Sequence, residues 1–281
     1  MQTPIAWFPG HMAKARRQIE GALRLVDAVI VVVDARAPAT SANPDLESLI
    51  ASRQQFIVLT KADLADPEAT EAWLSHFRNR GMVAAAVDLR DGASRHILTR
   101  GLLRLRPKGR TPGLKVMVVG TPNVGKSTLI NRLAGRATAR TGARPGVTRG
   151  SQWIHIGGGV RLLDTPGLMW PKLESVEAGL KLAWIGAIGE NAYDPEETAS
   201  ALARFLADGH PDLLQGRYRI DPHTAADLLD AIAERRGMLL PGGRPDRLRA
   251  AETLLKEFRT GKLGPITLDQ PPVSEEGGAT S

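Results

Sequence analysis

The 281-residue chain contains no cysteine. A disulfide scaffold, a thiolate nucleophile and a zinc or iron–sulfur centre held by thiolates are therefore excluded. No run of about 18 apolar residues occurs, so no membrane-spanning helix and no membrane partner are expected. The first residues lack the basic, apolar and small-residue order of a secretory leader, and the chain reads as mature cytoplasmic protein. Aromatic residues make up only 4%, which argues against nucleic-acid binding carried mainly by base stacking. One sign of charge is also missing locally: no Asp or Glu lies between Asp91 and Asp164.

That acid-free span holds basic residues from Arg95, Arg100 and Arg104 through Lys115, Lys126 and Arg132 to Arg149 and Arg161, within a chain of net charge +7. Like charges so dense repel one another unless a polyanion is near. A nucleotide would use one or two of them, and the surplus points to a larger polyanion such as RNA. The competing reading is a solvated basic surface.

What is present alternates. Val29 to Val33, Phe56 to Leu59 and Leu114 to Val119 are short β-branched or apolar runs of the kind that form buried parallel strands. Helical patterns separate them near 44, over 68–80 and over 93–105. This predicts an α/β domain with a mostly parallel sheet. Trp153 to Ile156 and Val160 to Leu163 read as a hairpin turned at Gly157–Gly159. After Pro171 only helices are expected, near 174–189, 195–207, 222–236 and 245–260. The domain expectation is 1–173, then an all-α domain over 174–266, then a disordered tail over 267–281.

Gly120-Thr121-Pro122-Asn123-Val124-Gly125-Lys126-Ser127 fits the GxxxxGK[ST] phosphate loop, between an expected strand and an expected helix. The glycines let backbone N–H groups curl around phosphates. Lys126 reaches the β and γ phosphates, Ser127 offers its hydroxyl to Mg²⁺, and Thr128 follows in the first turn of the helix. Asp164-Thr165-Pro166-Gly167 ends the hairpin: a carboxylate to hold Mg²⁺ through water, and a glycine N–H to sense the γ-phosphate. Thr148, in Pro145-Gly146-Val147-Thr148, is the favoured second hydroxyl for the ion, with Thr138 and Thr141 as alternatives.

Guanine is read by an [NT]KxD element, in which Asp accepts from N1 and N2 and the Lys stem covers the ring. None follows Asp164. The candidate, Thr60-Lys61-Ala62-Asp63, lies upstream of the phosphate loop, at the end of the Phe56–Leu59 strand. That order makes sense if a GTPase fold has been circularly permuted.

With Trp7-Phe8-Pro9-Gly10-His11-Met12, Asp34-Ala35-Arg36-Ala37-Pro38, the Thr60–Asp63 element, the phosphate loop and Asp164–Gly167, the chain resembles the circularly permuted P-loop GTPases of ribosome assembly. The likeness continues through Arg236-Gly237, Gly242-Gly243, Asp246 and Phe258-Arg259-Thr260-Gly261-Lys262-Leu263-Gly264, nearly to the end. It implies a permuted GTPase domain followed by a small all-α domain. It further implies GTP and Mg²⁺ as ligands, the large ribosomal subunit precursor and rRNA as partners, and a monomer. By the same resemblance Ala86 and Val87 contact guanine O6 through backbone N–H groups, and Asn123 helps to hold K⁺. Leu168 stands where small GTPases place a water-orienting glutamine. The resemblance gives that role to His11, whose imidazole can orient water or accept a proton near neutral pH. Two other classes stay open: an RNA-binding module stabilised by nucleotide with little turnover, and a P-loop ATPase or kinase.

Overall fold

The computed structural model describes residues 17, 19–105, 113–135, 152–164 and 175–272, with only the backbone of Asp45, Gln152 and Asp164. By contact the described residues divide into two units. A sheet unit takes those up to residue 164 together with 266–272, and a helical unit takes 175–265.

Strands β1 (Ala28–Asp34), β2 (Gln54–Thr60), β3 (Val83–Val87), β4 (Leu114–Val119), β5 (Gln152–Gly157) and β6 (Val160–Asp164) form one six-stranded sheet in the order β3-β2-β1-β4-β6-β5. All neighbours pair in parallel except β5, which runs antiparallel to β6. Every residue of β1 is buried, because both faces of the sheet are covered. The period of two sorts its side chains. Val29, Val31 and Val33 join Leu46, Ile50, Trp73 and Phe77 in one core, and Ile30 and Val32 join Leu98, Leu102, Leu129 and Ile130 in the other. The first core is roofed by α2 (Pro44–Ile50) and α3 (Pro67–Asn79), and the second by α4 (Ser94–Arg104) and α5 (Lys126–Ala134). A short helix, α1 (Pro38–Ser41), follows β1. On the second face Gly101 lets α4 approach β2 closely: a Cβ there would stand 2.2 Å from the Phe56 ring.

β1 lies between β2 and β4, and the sheet is built outward from this central pair in both directions. Ligands of such sheets bind beyond the carboxyl ends of the strands where the order reverses. Here that place is bounded by Asp34, Thr60 and Gly120.

The helical unit comprises α6 (Val176–Trp184), α7 (Pro195–Gly209), α8 (Pro211–Tyr218), α9 (Leu228–Arg235) and α10 (Arg247–Arg259). Side chains of Ser175, Asp194, Asp227 and Asp246 each accept from a backbone N–H of the first turn. These caps fix the starts, so the third expected helix begins at Leu228 rather than near 222. The first ends at Trp184 rather than 189, just before Gly186 turns the chain with φ 77°. Helix α8 was not anticipated; it is short, and of its side chains Leu214 and Tyr218 are buried. Among the described residues no helix is long and apolar enough to cross a membrane.

The end of the chain departs from expectation. Thr267, Leu268 and Asp269, placed by the sequence reading in a disordered tail, are buried in the sheet unit. Residues 273–281 lie outside the described residues.

Candidate functional site

The phosphate loop leaves β4 at Gly120, whose φ is 148° and whose Cβ, if present, would lie 2.3 Å from the Val32 carbonyl oxygen. Only glycine fits there. Gly125 (φ 102°) and Asn123 (φ 59°) carry the other left-handed turns, and asparagine tolerates that conformation better than most residues. Val124 is fully buried and anchors the loop. Lys126 opens α5, and its buried ammonium donates to the Thr121 carbonyl across the loop. Ser127 is half-buried in the first helical turn, with Thr128 exposed beside it. Backbone N–H groups, a helix start and one ammonium facing the same turn form a cradle suited to a polyphosphate. The Ser127 hydroxyl is the hard oxygen donor that Mg²⁺ prefers.

The element upstream in sequence is laced to this loop. Thr60 Oγ1 lies 2.5 Å from the Val124 carbonyl oxygen and 3.1 Å from that of Val33. With one hydroxyl proton, its bond goes principally to the shorter contact. Lys61, at φ 56°, donates from Nζ to the Asn123 carbonyl at 3.1 Å. Ala62 then begins a single 3₁₀ turn, Ala62–Leu64, that carries Asp63. The order in sequence is permuted, yet the two elements meet through two side-chain bonds.

Beneath Lys61 lies Asp34, the last residue of β1, with no exposed surface. Its carboxylate receives Arg36 Nε at 2.9 Å and Nη2 at 2.8 Å, and Lys61 Nζ at 2.8 Å. Burial alone would raise the Asp34 carboxyl. The Arg36 and Lys61 cations and their hydrogen bonds outweigh it and hold the group well below the usual carboxylate range. In the sequence Asp34-Ala35-Arg36 stood among the motifs of the family resemblance, with no role assigned.

Ala86 and Val87 are the last residues of β3, in register with Leu59 and Thr60. The segment that reaches Asp63 comes directly after them. Arg90 Nη2 donates to Asp63 Oδ2 at 2.5 Å, and Arg90 Nε to Asp88 Oδ1 at 3.1 Å. The hydrogen bond from Arg90 holds the Asp88 carboxyl below its ordinary value. Arg132 of α5 braces this turn, donating to the carbonyls of Leu89 and Arg90 at 2.5 and 2.9 Å. Arg90 was missed in the sequence; its signal was Asp88-Leu89-Arg90 just past Ala86 and Val87.

Residues Thr60–Asp63, Asn123–Thr128 and the strand end at Ala86–Val87 thus all lie at or beyond the carboxyl ends of β2, β4 and β3. Asp164 ends β6 with its backbone in register with Val118, two residues before Gly120. Its side chain lies outside the described residues, as do His11, Thr148 and Gly167.

The basic residues of the helical unit divide. Arg236 stacks over Tyr218 and pairs with Glu257, Arg247 pairs with Asp227 and Asp230, and Arg259 donates to Glu190 and to the Ala183 carbonyl. Arg235, Arg244, Arg249, Lys256 and Lys262 are exposed, and in the sheet unit so are Arg95, Arg100 and Arg104 of α4.

Residues 115–208 match the 50S ribosome-binding GTPase family. The match begins on β4 and leaves out Thr60–Asp63. The chain is 43% identical to ribosome biogenesis GTPase A of Priestia megaterium, across 97% of this chain and 99% of that protein. It is 32% identical to the protein of the same name from Thermotoga maritima, across 97% and 98%. Among solved structures, GDP-bound YlqF of T. maritima superposes with a TM-score of 0.70 at 28% identity, covering 92% of this chain and 100% of that one.

Proposed function

Because the chain belongs to the ribosome biogenesis GTPase A family of circularly permuted GTPases, we propose that it hydrolyses GTP as an assembly factor of the large ribosomal subunit, engaging precursor particles through rRNA when GTP is bound. The observation that carries this reading is the pair of bonds from Thr60 and Lys61 to Val124 and Asn123, which sets a guanine-reading carboxylate at a fixed reach from the phosphate cradle.

In this reading Asp63 accepts guanine N1–H and the 2-amino group, and the Lys61 stem covers the ring. Guanine O6 is met at the end of β3, by Ala86 and Val87 or by the turn of Asp88–Arg90 beside them. Lys126, the loop N–H groups of Asn123, Val124 and Gly125, and Thr128 hold the phosphates. Ser127, Thr148 and Asp164 hold Mg²⁺, which when bound neutralises charge on the β and γ phosphates. Thr148 and Gly167 sense the γ-phosphate, so that GTP and GDP present different surfaces to a partner. His11 orients the attacking water, since Leu168 cannot. Exposed arginines and lysines of the helical unit and of α4 grip RNA through its phosphates and shape.

The test is sedimentation. The chain should travel with large-subunit particles in a non-hydrolysable GTP analogue and leave them in GDP; equal co-sedimentation in both would sink the switch. Leu168 favours one other reading, an RNA-binding module with little turnover. Multiple-turnover hydrolysis accelerated by large-subunit particles decides against that reading, and its absence decides for it.

A further inference from the structure

The chain returns to the sheet unit at Ile266, and its next residues bind the backs of the two segments that build the base-reading corner. Ile266 N–H donates to the Leu64 carbonyl at 3.1 Å, one residue from Asp63. Thr267 Oγ1 accepts from Asp66 N–H at 3.0 Å, at the start of α3. Leu268 N–H donates to the Arg36 carbonyl at 2.6 Å, in the turn whose side chain grips Asp34 and through it Lys61. The Asp269 carboxylate accepts from Thr40 N–H at 2.7 Å and Thr40 Oγ1 at 2.9 Å, and its carbonyl accepts Trp73 Nε1–H at 3.0 Å. All four residues, 266–269, are buried.

From this geometry we infer that residues 266–269 are a strap that positions Asp63 and Lys61 for guanine, with Thr267 and Asp269 as positioning residues. The segment Ala62–Leu64 is one exposed-edge turn with no buried residue of its own. Groups outside it must fix its carboxylate, because two parallel hydrogen bonds to a base tolerate little angular error. Arg90 meets the carboxylate itself at 2.5 Å, and the sheet holds the front of the turn through Thr60. The strap holds its exit at Leu64 and Asp66, and it also holds the Arg36 turn on which Lys61 depends. Loosening the strap should therefore cost recognition of the base more than recognition of the phosphates.

The inference rests on the reading that Asp63 accepts from guanine, and its test separates the two. Dissociation constants for GDP and for inosine diphosphate, which lacks the 2-amino group, are measured on the full chain, on Asp63→Asn, on Thr267→Val and on Asp269→Ala, each below its melting temperature. The unaltered chain should prefer GDP, and Asp63→Asn should lose that preference. Each strap variant should weaken GDP binding about tenfold more than inosine diphosphate binding, because the second base keeps N1–H and the ring face but not the second hydrogen bond. Asp269→Asn, which keeps one acceptor for Thr40 N–H, should restore part of it. Folded strap variants with the full preference for GDP would overturn the strap's role and leave the reading of Asp63 intact. An unaltered chain that fails to distinguish the two nucleotides overturns the reading of Asp63 and the inference with it. If Asp269→Ala does not fold, the near-isosteric Thr267→Val decides alone.

Discussion

The carboxylate of Asp34 and the ammonium of Lys61 stand 2.8 Å apart, the first wholly buried and the second about a third exposed. A buried ion ties down a residue whose stem must lie flat beside a base. Asp34→Asn should lower stability by about 3–5 kcal/mol, because Arg36 is left buried without its counter-ion. It should also weaken GDP binding, since Lys61 is no longer held. Chemical denaturation and nucleotide titration check the two effects.

The same pair predicts an acid limb. In the folded chain Asp34 titrates far below the ordinary 3.8, to which it returns on unfolding. Its stabilisation is fully present above about pH 4 and is lost as pH falls from there toward the folded value, where only the unfolded chain takes up the proton. Melting temperature plotted against pH should fall less steeply below that point in Asp34→Asn than in the unaltered chain.

Thr60 takes the first place of the [NT]KxD pattern, and its hydroxyl binds the Val124 carbonyl. Thr60→Val keeps the shape and removes the donor, leaving a buried carbonyl unpaired at a cost of about 1–3 kcal/mol. Affinity for GTP and GDP should drop together by about tenfold in fluorescence titration. An unchanged affinity would mean that the phosphate loop keeps its form without this tie.

Gly101 serves packing alone. Gly101→Ala would drive a methyl to 2.2 Å from the Phe56 ring, and overpacking of this kind costs about 1–3 kcal/mol. The melting temperature should fall while nucleotide affinity, measured well below it, stays as it was.

Turnover should depend on His11 and on the cation. His11→Ala is expected to cut GTP hydrolysis by at least about 100-fold, the scale of a general acid–base group, with nucleotide affinity retained. Hydrolysis should run faster in potassium than in sodium buffer if Asn123 helps to hold that ion. Equal rates would leave its left-handed φ of 59° as the reason for asparagine there.

The phosphate loop and the Thr60–Asp63 element were legible because each is a run of consecutive residues with its chemistry in its spacing. Their meeting could only be argued from order, and the bonds to Val124 and Asn123 supply the contact. Arg90 was not legible, because its role depends on the register that sets β3 beside β2. Helix starts were misjudged where a capping aspartate, Asp227, overrode the apolar pattern. Residues 267–269 of the strap were read as tail because Asp269-Gln270-Pro271-Pro272 has the composition of one, and Ile266 was read as the end of the helical domain. Its order comes from backbone and side-chain partners at positions 36, 40, 64, 66 and 73, which no local pattern announces.

Because the sheet unit resumes at Ile266 after the whole helical unit has been made, synthesis itself imposes a schedule. The phosphate loop, the base-reading turn and every helix among the described residues leave the translating ribosome before the four residues that brace the corner. A nascent chain held short of Ile266 should therefore take up nucleotide with little regard for the base. Discrimination would arrive only once these four residues are made and have closed on the corner.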